Sequence, residues 1–384
     1  MTTKKILILT CSHGSGHQMV TQALKEYFLA RGCEVFARDL FHDTNAVVNR
    51  IIEKSYLLSY NIGSLFYKKM YYDMEKRAHG PFISKLWTLT RHTLLKMIDT
   101  LQPDCIINAY PYTISSMLKP EHYPDIPVFT VVTDFCIPAA WEHKNTDKFY
   151  VACDKVEESL LRFGIDPRRI LKTGIPIRPE FYHAYDRQRL LEKYHLSPDK
   201  KTLILCAGTY GVLKNTARIC KRLDAFDDLQ TVVICGKNRS LYHSLSSLDL
   251  KHTQVLGFVK NIYELYHCGD MMITKPGGIT LSEVVATRIP LILYRPVPGQ
   301  EGENADWFKK QGAAVIARTE PELLVAIEAL KNNEVQQFAM KNALAKMDYG
   351  CSAQLIADDI LSQLNLFPAQ RTDKLPALKL LEER

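Results

Sequence analysis

Short apolar runs alternate along this chain with helical stretches, the pattern of parallel strands buried on both faces and linked by crossover helices. Lys4 and Lys5 lead into Ile6, Leu7, Ile8 and Leu9, and Lys200 and Lys201 lead into Thr202, Leu203, Ile204 and Leu205, two openings of one form about half a chain apart. Each predicts the first strand of an α/β domain. The first run leads to a loop over 11–16, a helix over 17–30 stopped near Gly32, and a strand over 34–38; residues 105–109 and 128–132 predict two more strands. In the second half, strands are predicted over 231–235, 255–257, 271–274, 291–294 and 313–317. Pro176, Pro179 and Pro198 punctuate the region between the halves, which predicts a linker over 176–200. Two doubly wound, Rossmann-like domains follow, 1–175 and 201–366, with a cleft between them and a short tail over 367–384.

The length of 384 residues suits two domains, and 46% hydrophobic with 24% charged residues supplies two cores, which excludes wholesale disorder and fibrous repeats. No apolar run approaches the roughly 18 residues of a membrane span, and Met1–Lys5 open on too short an apolar stretch for a signal peptide. The ten cysteines include no CxxC pair, so reduced core thiols in a cytosol are expected rather than a zinc ribbon. The net charge of +7 is unevenly placed: residues 50–100 hold nine Lys or Arg against four Asp or Glu, a balance of +5. Tyr56, Tyr60, Phe66, Tyr67, Tyr71, Tyr72, Phe82 and Trp87 interleave with those charges, and Leu58, Ile62, Phe66 and Met70 follow at i, i+4 spacing. This is either an interfacial helix or an ordinary helix packed on the first sheet. On the interfacial reading, Phe66, Lys68, Lys69, Tyr71, Lys76, Arg77 and Trp87 dock on an anionic membrane surface. No nucleic-acid module is recognisable, so nucleic acid is not an expected partner.

Candidate chemistry gathers at predicted strand ends, where open parallel sheets bind ligands. The loop Ser12, His13, Gly14, Ser15, Gly16, His17 joins strand to helix, a place suited to an anionic or polar ligand or simply a tight turn. It lacks the Lys-Ser/Thr of a Walker loop and the third glycine of GxGxxG. His17 is then a capping histidine or a base in a cleft. Thr133 and Asp134 end another strand of this half, Asp134 being a helix N-cap or a second catalytic residue of the cleft and the alternative to His17 as base.

In the second half, Gly208, Thr209, Tyr210 and Gly211, with Lys214 beyond, suit a diphosphate held by backbone amides. Gly277, Gly278, Thr280 and Glu283 follow another strand; Glu283 either accepts from ribose hydroxyls or is a helix-start carboxylate favoured by the dipole. The stretch 296–304 reads as a polar loop whose Gln300, Glu301 and Asn304 suit a sugar's hydroxyls or simply face solvent. Arg178, in the linker, is a cation for a diphosphate or a surface arginine. No Asp-x-Asp pair occurs, so no metal or other cofactor is expected.

Taken in order, the GSGH loop, TDF at 133–135, TGIPIRP at 173–179, AGTYGVLKN at 207–215, TKPGGITLSE at 274–283 and PVPGQEGEN at 296–304 resemble the diacylglycerol β-glucosyltransferases of Gram-positive bacteria. More distantly they are similar to plant monogalactosyldiacylglycerol synthases and the transferase that completes lipid II. The likeness spans about residues 4–365. It implies a GT-B fold, an acceptor domain followed by a UDP-sugar domain, inversion at the anomeric carbon and no required metal. Carried over by motif, it implies His17 as base, Glu283 as ribose ligand, 208–211 as the phosphate loop, Phe258 and Val259 as the uracil wall, and Gln300, Glu301 and Asn304 as sugar contacts. Ala207 departs from the lipid II relatives, which begin the phosphate loop with two glycines. The implied activity is transfer of glucose from UDP-glucose to diacylglycerol, and processively to glucosyl-diacylglycerol, on the inner face of the cell membrane, giving the anchor lipid of lipoteichoic acid. A UDP-sugar 2-epimerase and a non-catalytic UDP-sugar sensor with a protein partner are the alternatives.

Overall fold

The structure is a computed structural model that describes residues 3–12, 15–44, 81–137, 141, 143–208, 213 and 215–366. Two six-stranded parallel sheets organise it. The first holds β1 (Lys5–Thr10), β2 (Glu34–Asp39), β3 (Cys105–Asn108), β4 (Val128–Val131), β5 (Lys148–Val151) and β6 (Ile170–Lys172) in the order β2-β1-β3-β4-β5-β6. The second holds β7 (Lys201–Cys206), β8 (Leu229–Ile234), β9 (Thr253–Leu256), β10 (Met271–Thr274), β11 (Leu291–Tyr294) and β12 (Ala314–Ala317) in the order β12-β11-β10-β7-β8-β9. This is the two-domain α/β architecture expected of a GT-B fold. Strands β5 and β6 were not legible as apolar runs, since Lys148 and Lys172 open and close two very short segments.

The buried runs show why the strands form. In β1, Ile6 and Ile8 face one apolar cluster and Leu7 and Leu9 the other, the period-2 alternation of a strand covered on both sides. On one face lie Val20, Ala23, Leu24 and Phe28 of helix Ser15–Ala30; on the other lie Leu94 and Ile98 of helix Pro81–Leu101 with Leu40 and Phe41. The second half of the basic segment is therefore a core helix whose Arg91 and Lys96 face outward. Phe66, Lys68, Lys69, Tyr71, Lys76 and Arg77 lie outside the described residues, and Trp87 lies on the helix with its side chain outside them. Among the described residues no helix is long and apolar enough to cross a membrane. None of the ten cysteines forms a disulfide, and nine of them are buried.

The region 176–200 is not an extended tether. It holds a 3-10 turn, Pro179–Tyr182, and a helix, Arg187–Lys193, with Phe181, Leu190 and Leu191 buried. The last helix, Ser352–Leu366, returns to the first sheet: Asp359 accepts from Lys148 Nζ at 2.9 Å and from the Tyr150 hydroxyl at 2.7 Å, both on β5.

Each sheet reverses its strand order once, between β1 and β3 in the first and between β7 and β10 in the second. Crevices open at the carboxyl ends of such neighbours, and these two face each other.

Candidate functional site

His17 lies in the first turn of helix Ser15–Ala30, just past β1. Its Nδ1 stands 2.8 Å from the carbonyl oxygen of Ala109, beyond β3, and 3.2 Å from the Thr133 hydroxyl, beyond β4. A carbonyl only accepts, so Nδ1 carries the proton and Nε2 holds the lone pair of the neutral ring. Tyr110 meets the imidazole edge-on at 4.9 Å and Trp141 lies tilted at 6.4 Å. The loop before it is anchored by Asp39 at the end of β2, which accepts from the Ser12 amide at 2.7 Å and the Ser12 hydroxyl at 2.5 Å. Asp39, Tyr110 and Trp141 went unnoticed in the sequence, although Asp39 and Tyr110 follow predicted strands and position alone would have flagged them.

Across the cleft, helix Gly278–Thr287 starts at Gly277, immediately past β10. Its fit is close: a Cβ on Gly278 would collide with the Thr133 carbonyl oxygen and stand 3.1 Å from Asp134 Oδ1. A Cβ on Gly16 would stand 3.3 Å from the Ile279 side chain. The two helix N-termini thus converge. Thr280 is half-buried in the first turn. Glu283 falls beyond that turn, so the helix dipole does not account for it. It is buried, the Tyr266 hydroxyl donates to its Oε2 at 3.3 Å, and burial pushes its carboxyl up to about 7 against the pull of Arg178 and Tyr266.

Arg178 is not a bare surface arginine. Its guanidinium lies 5.4 Å from the Phe181 ring centre and 5.3 Å from that of Tyr263, and Nη1 donates to the Lys260 carbonyl at 2.7 Å. That bond holds the segment carrying Phe258 and Val259. Phe258 is 66% exposed with Lys237 Nζ 6.0 Å from its ring centre, whereas Val259 packs on the core. Gly208, at φ +82°, turns the chain out of β7 in a conformation that favours glycine. Thr209, Tyr210, Gly211 and Lys214 lie outside the described residues.

The stretch 296–304 is a loop only as far as Gly299, whose φ of +102° precedes helix Gln300–Lys310. Glu301 and Glu303 in the first turn suit the positive helix end, which is why the polar run is helical rather than an open loop. Glu301 accepts from the Val297 amide at 2.9 Å and pairs with Lys275 at 3.3 Å. Asn304 is fully buried, its Nδ2 donating to Asp134 Oδ1 at 2.6 Å and to the Pro276 carbonyl at 3.0 Å. Gln300 Nε2 donates to Asp134 Oδ2. Asp134 is thus bound across the cleft rather than capping a helix, and burial pushes it up to about 7, opposed by the Asn304 bond.

His17, Thr133, Asp134, Gly278, Gln300 and Asn304 therefore meet in one cleft, while Arg178 lies within electrostatic reach of Glu283 and is tied to the segment that carries Phe258. The monogalactosyldiacylglycerol synthase family model matches residues 17–177, and the glycosyltransferase family 28 C-terminal domain model matches 206–356. The processive diacylglycerol β-glucosyltransferase of Bacillus subtilis (strain 168) is 39% identical over 377 residues, covering 97% of this chain and 99% of the relative. Among solved structures, Acinetobacter baumannii MurG superposes with a TM-score of 0.63 at 15% identity, covering 94% of this chain and all of the other. The UDP-GlcNAc 2-epimerase of Neisseria meningitidis bound to UDP-GlcNAc does so at 0.62 and 11% identity, covering 93% and 100%; at such identities the likeness is one of fold.

Proposed function

The chain belongs to the processive diacylglycerol β-glucosyltransferase family, and from that premise we propose UDP-glucose as its donor and a diacylglycerol hydroxyl as its acceptor. It is a glycosyltransferase that makes glycolipid. In the proposed reaction the UDP group lies on the second sheet, with the diphosphate on the loop that starts at Gly208, the ribose on Glu283 and the uracil beside Phe258 and Val259. Gln300 and Asn304 face the glucose. The acceptor comes from the first sheet, and its oxygen attacks the anomeric carbon from the side opposite UDP, which inverts it. Glucosyl-diacylglycerol re-enters as acceptor, and the product anchors lipoteichoic acid.

One observation carries this reading: the Ala109 carbonyl fixes the proton of His17 on Nδ1, so Nε2 is the basic nitrogen of the ring. As the acceptor oxygen attacks, Nε2 takes its proton, help typically worth about 10²- to 10⁴-fold. The missing Asp-x-Asp pair supports transfer without a divalent ion. The +5 balance of residues 50–100 supports docking on the anionic inner face of the membrane. Thin-layer separation of labelled glycolipids, after incubation with UDP-glucose or UDP-galactose and diacylglycerol vesicles, tests it. Glucosylated lipid is expected. Labelled lipid from UDP-galactose alone would overturn the donor, and a rearranged UDP-sugar without lipid product would overturn the reaction.

A further inference from the structure

Asp134 and the two amides it binds come from opposite sheets: the carboxylate follows β4, and Gln300 and Asn304 stand in the first turns of helix Gln300–Lys310. An ionised carboxylate accepts only, and so does the Pro276 carbonyl. Asn304 faces both, so its Nδ2 must be the atom turned towards them, which fixes the flip of the amide by chemistry. Its Oδ1 then points the other way, buried and with no hydrogen-bond partner among the described residues. Gln300 is turned alike, with Nε2 on Asp134. Glu301 between them is held by Lys275 and the Val297 amide, so the turn that carries both amides is fixed at its middle as well.

A buried acceptor without a donor costs free energy until one is supplied, and a sugar hydroxyl supplies one. We infer that Asp134 is a positioning residue for the donor sugar: by holding the nitrogens of Gln300 and Asn304 towards the first sheet, it presents their amide oxygens to hydroxyls of the transferred hexose. This rests on the donor reading above. Asp134 thereby ties donor recognition to closure of the cleft, because the sheet that brings the acceptor also orients the groups that hold the sugar.

The test is a double-mutant cycle on the full chain with Asp134→Asn and Asn304→Ala. Asp134→Asn keeps the shape but presents an amide nitrogen where an acceptor stood, so one partner must turn or lose its bond. Hydrogen bonds to charged groups of this kind predict a rise of about 10- to 100-fold in the KM for UDP-glucose, exceeding the fall in kcat. Affinity for UDP itself should stay within about twofold, which also reports that the variant is folded. Because Asp134 acts through Asn304 as well as Gln300, the double variant should lose clearly less UDP-glucose affinity than the product of the two single losses. A collapse of kcat at unchanged donor KM would overturn the inference and make Asp134 a proton acceptor; so would losses in the two single variants that simply multiply. If the parent binds UDP but gains no affinity from the glucose, the donor reading fails, and this inference with it. If the parent does gain affinity from the glucose and Asp134→Asn gains as much, only this inference fails.

Discussion

Glu283→Gln should make the protein more stable and a poorer binder of UDP, and the pH at which each change appears follows from the burial of the carboxyl. The group's ordinary value is 4.5, and burial pushes it up to about 7 in the folded protein. Between those values the folded chain keeps a proton that the unfolded chain has released. Stability from this group is therefore full below pH 4.5, falls as pH rises towards 7, and is level above. Two and a half units correspond to ~3 kcal/mol, of which about 2–3 kcal/mol is lost between pH 5 and pH 8. Glutamine does not titrate, so the variant's advantage over the parent should grow by that amount across the interval. Any repacking around the amide is the same at both pH values and cancels in the comparison. Urea denaturation of donor-free parent and variant at pH 5 and pH 8 measures it. In the same variant, calorimetry at pH 8 should find UDP bound about 10- to 100-fold more weakly, because the ribose hydroxyls lose a charged acceptor. A stability difference independent of pH would refute the buried-carboxylate reasoning, and unchanged UDP affinity would remove Glu283 from the ribose site.

His17→Ala should cut turnover by about 10²-fold or more while UDP-glucose still binds; nearly normal turnover would take the base role from it. Activity should survive EDTA, and a loss reversed by magnesium or manganese would contradict the metal-free reaction. Replacing Lys68, Lys69, Lys76 and Arg77 with Ser should weaken sedimentation with anionic vesicles at low salt by about 30- to 150-fold, at up to about 1 kcal/mol for each of two or three contacts. Equal sedimentation of variant and parent would remove that segment as the electrostatic anchor. Gly278→Ala places a methyl group against the Thr133 carbonyl and should cost about 10²-fold in turnover by misplacing the sheets. Turnover within twofold of the parent would show that the sheets do not need to meet there.

Strands such as Ile6–Leu9 and Leu203–Leu205 were legible because burial on both faces leaves a continuous apolar run, and that alone placed the Gly-rich loops at strand ends. The three-residue β6 leaves no such trace. Nor does any local pattern show that helix Ser352–Leu366 crosses back, since Asp359 meets Lys148 and Tyr150 about two hundred positions away. The polar stretch 296–304 was misread as a loop throughout because sugar-binding composition and the acidic first turn of a helix look alike. Positions of the site residues were thus readable one at a time. Their pairings, Asn304 with Asp134 or His17 with Ala109, depend on which strand ends the topology brings together.

The same topology bears on how a diphosphate would leave in the metal-free transfer proposed above. Among the described cations near the cleft, Lys275 pairs with Glu301, whereas Arg178 donates only to the Lys260 carbonyl and keeps a buried Nε without a partner, so its charge remains available to a phosphate. The two switch points add a pair of helix N-termini, Ser15–Ala30 and Gly278–Thr287, that approach closely through Gly16 and Ile279. Each N-terminus carries roughly half a positive charge on backbone N–H groups. Such groups are already oriented and need no reorganisation as negative charge develops on the leaving phosphate. The two ends reinforce each other only while the cleft is closed, because opening it separates them. An ion held permanently on one sheet would act whether or not the acceptor sheet had arrived. Helix ends contributed by both sheets couple departure of UDP to arrival of the acceptor, which is the condition for transfer to lipid rather than to water.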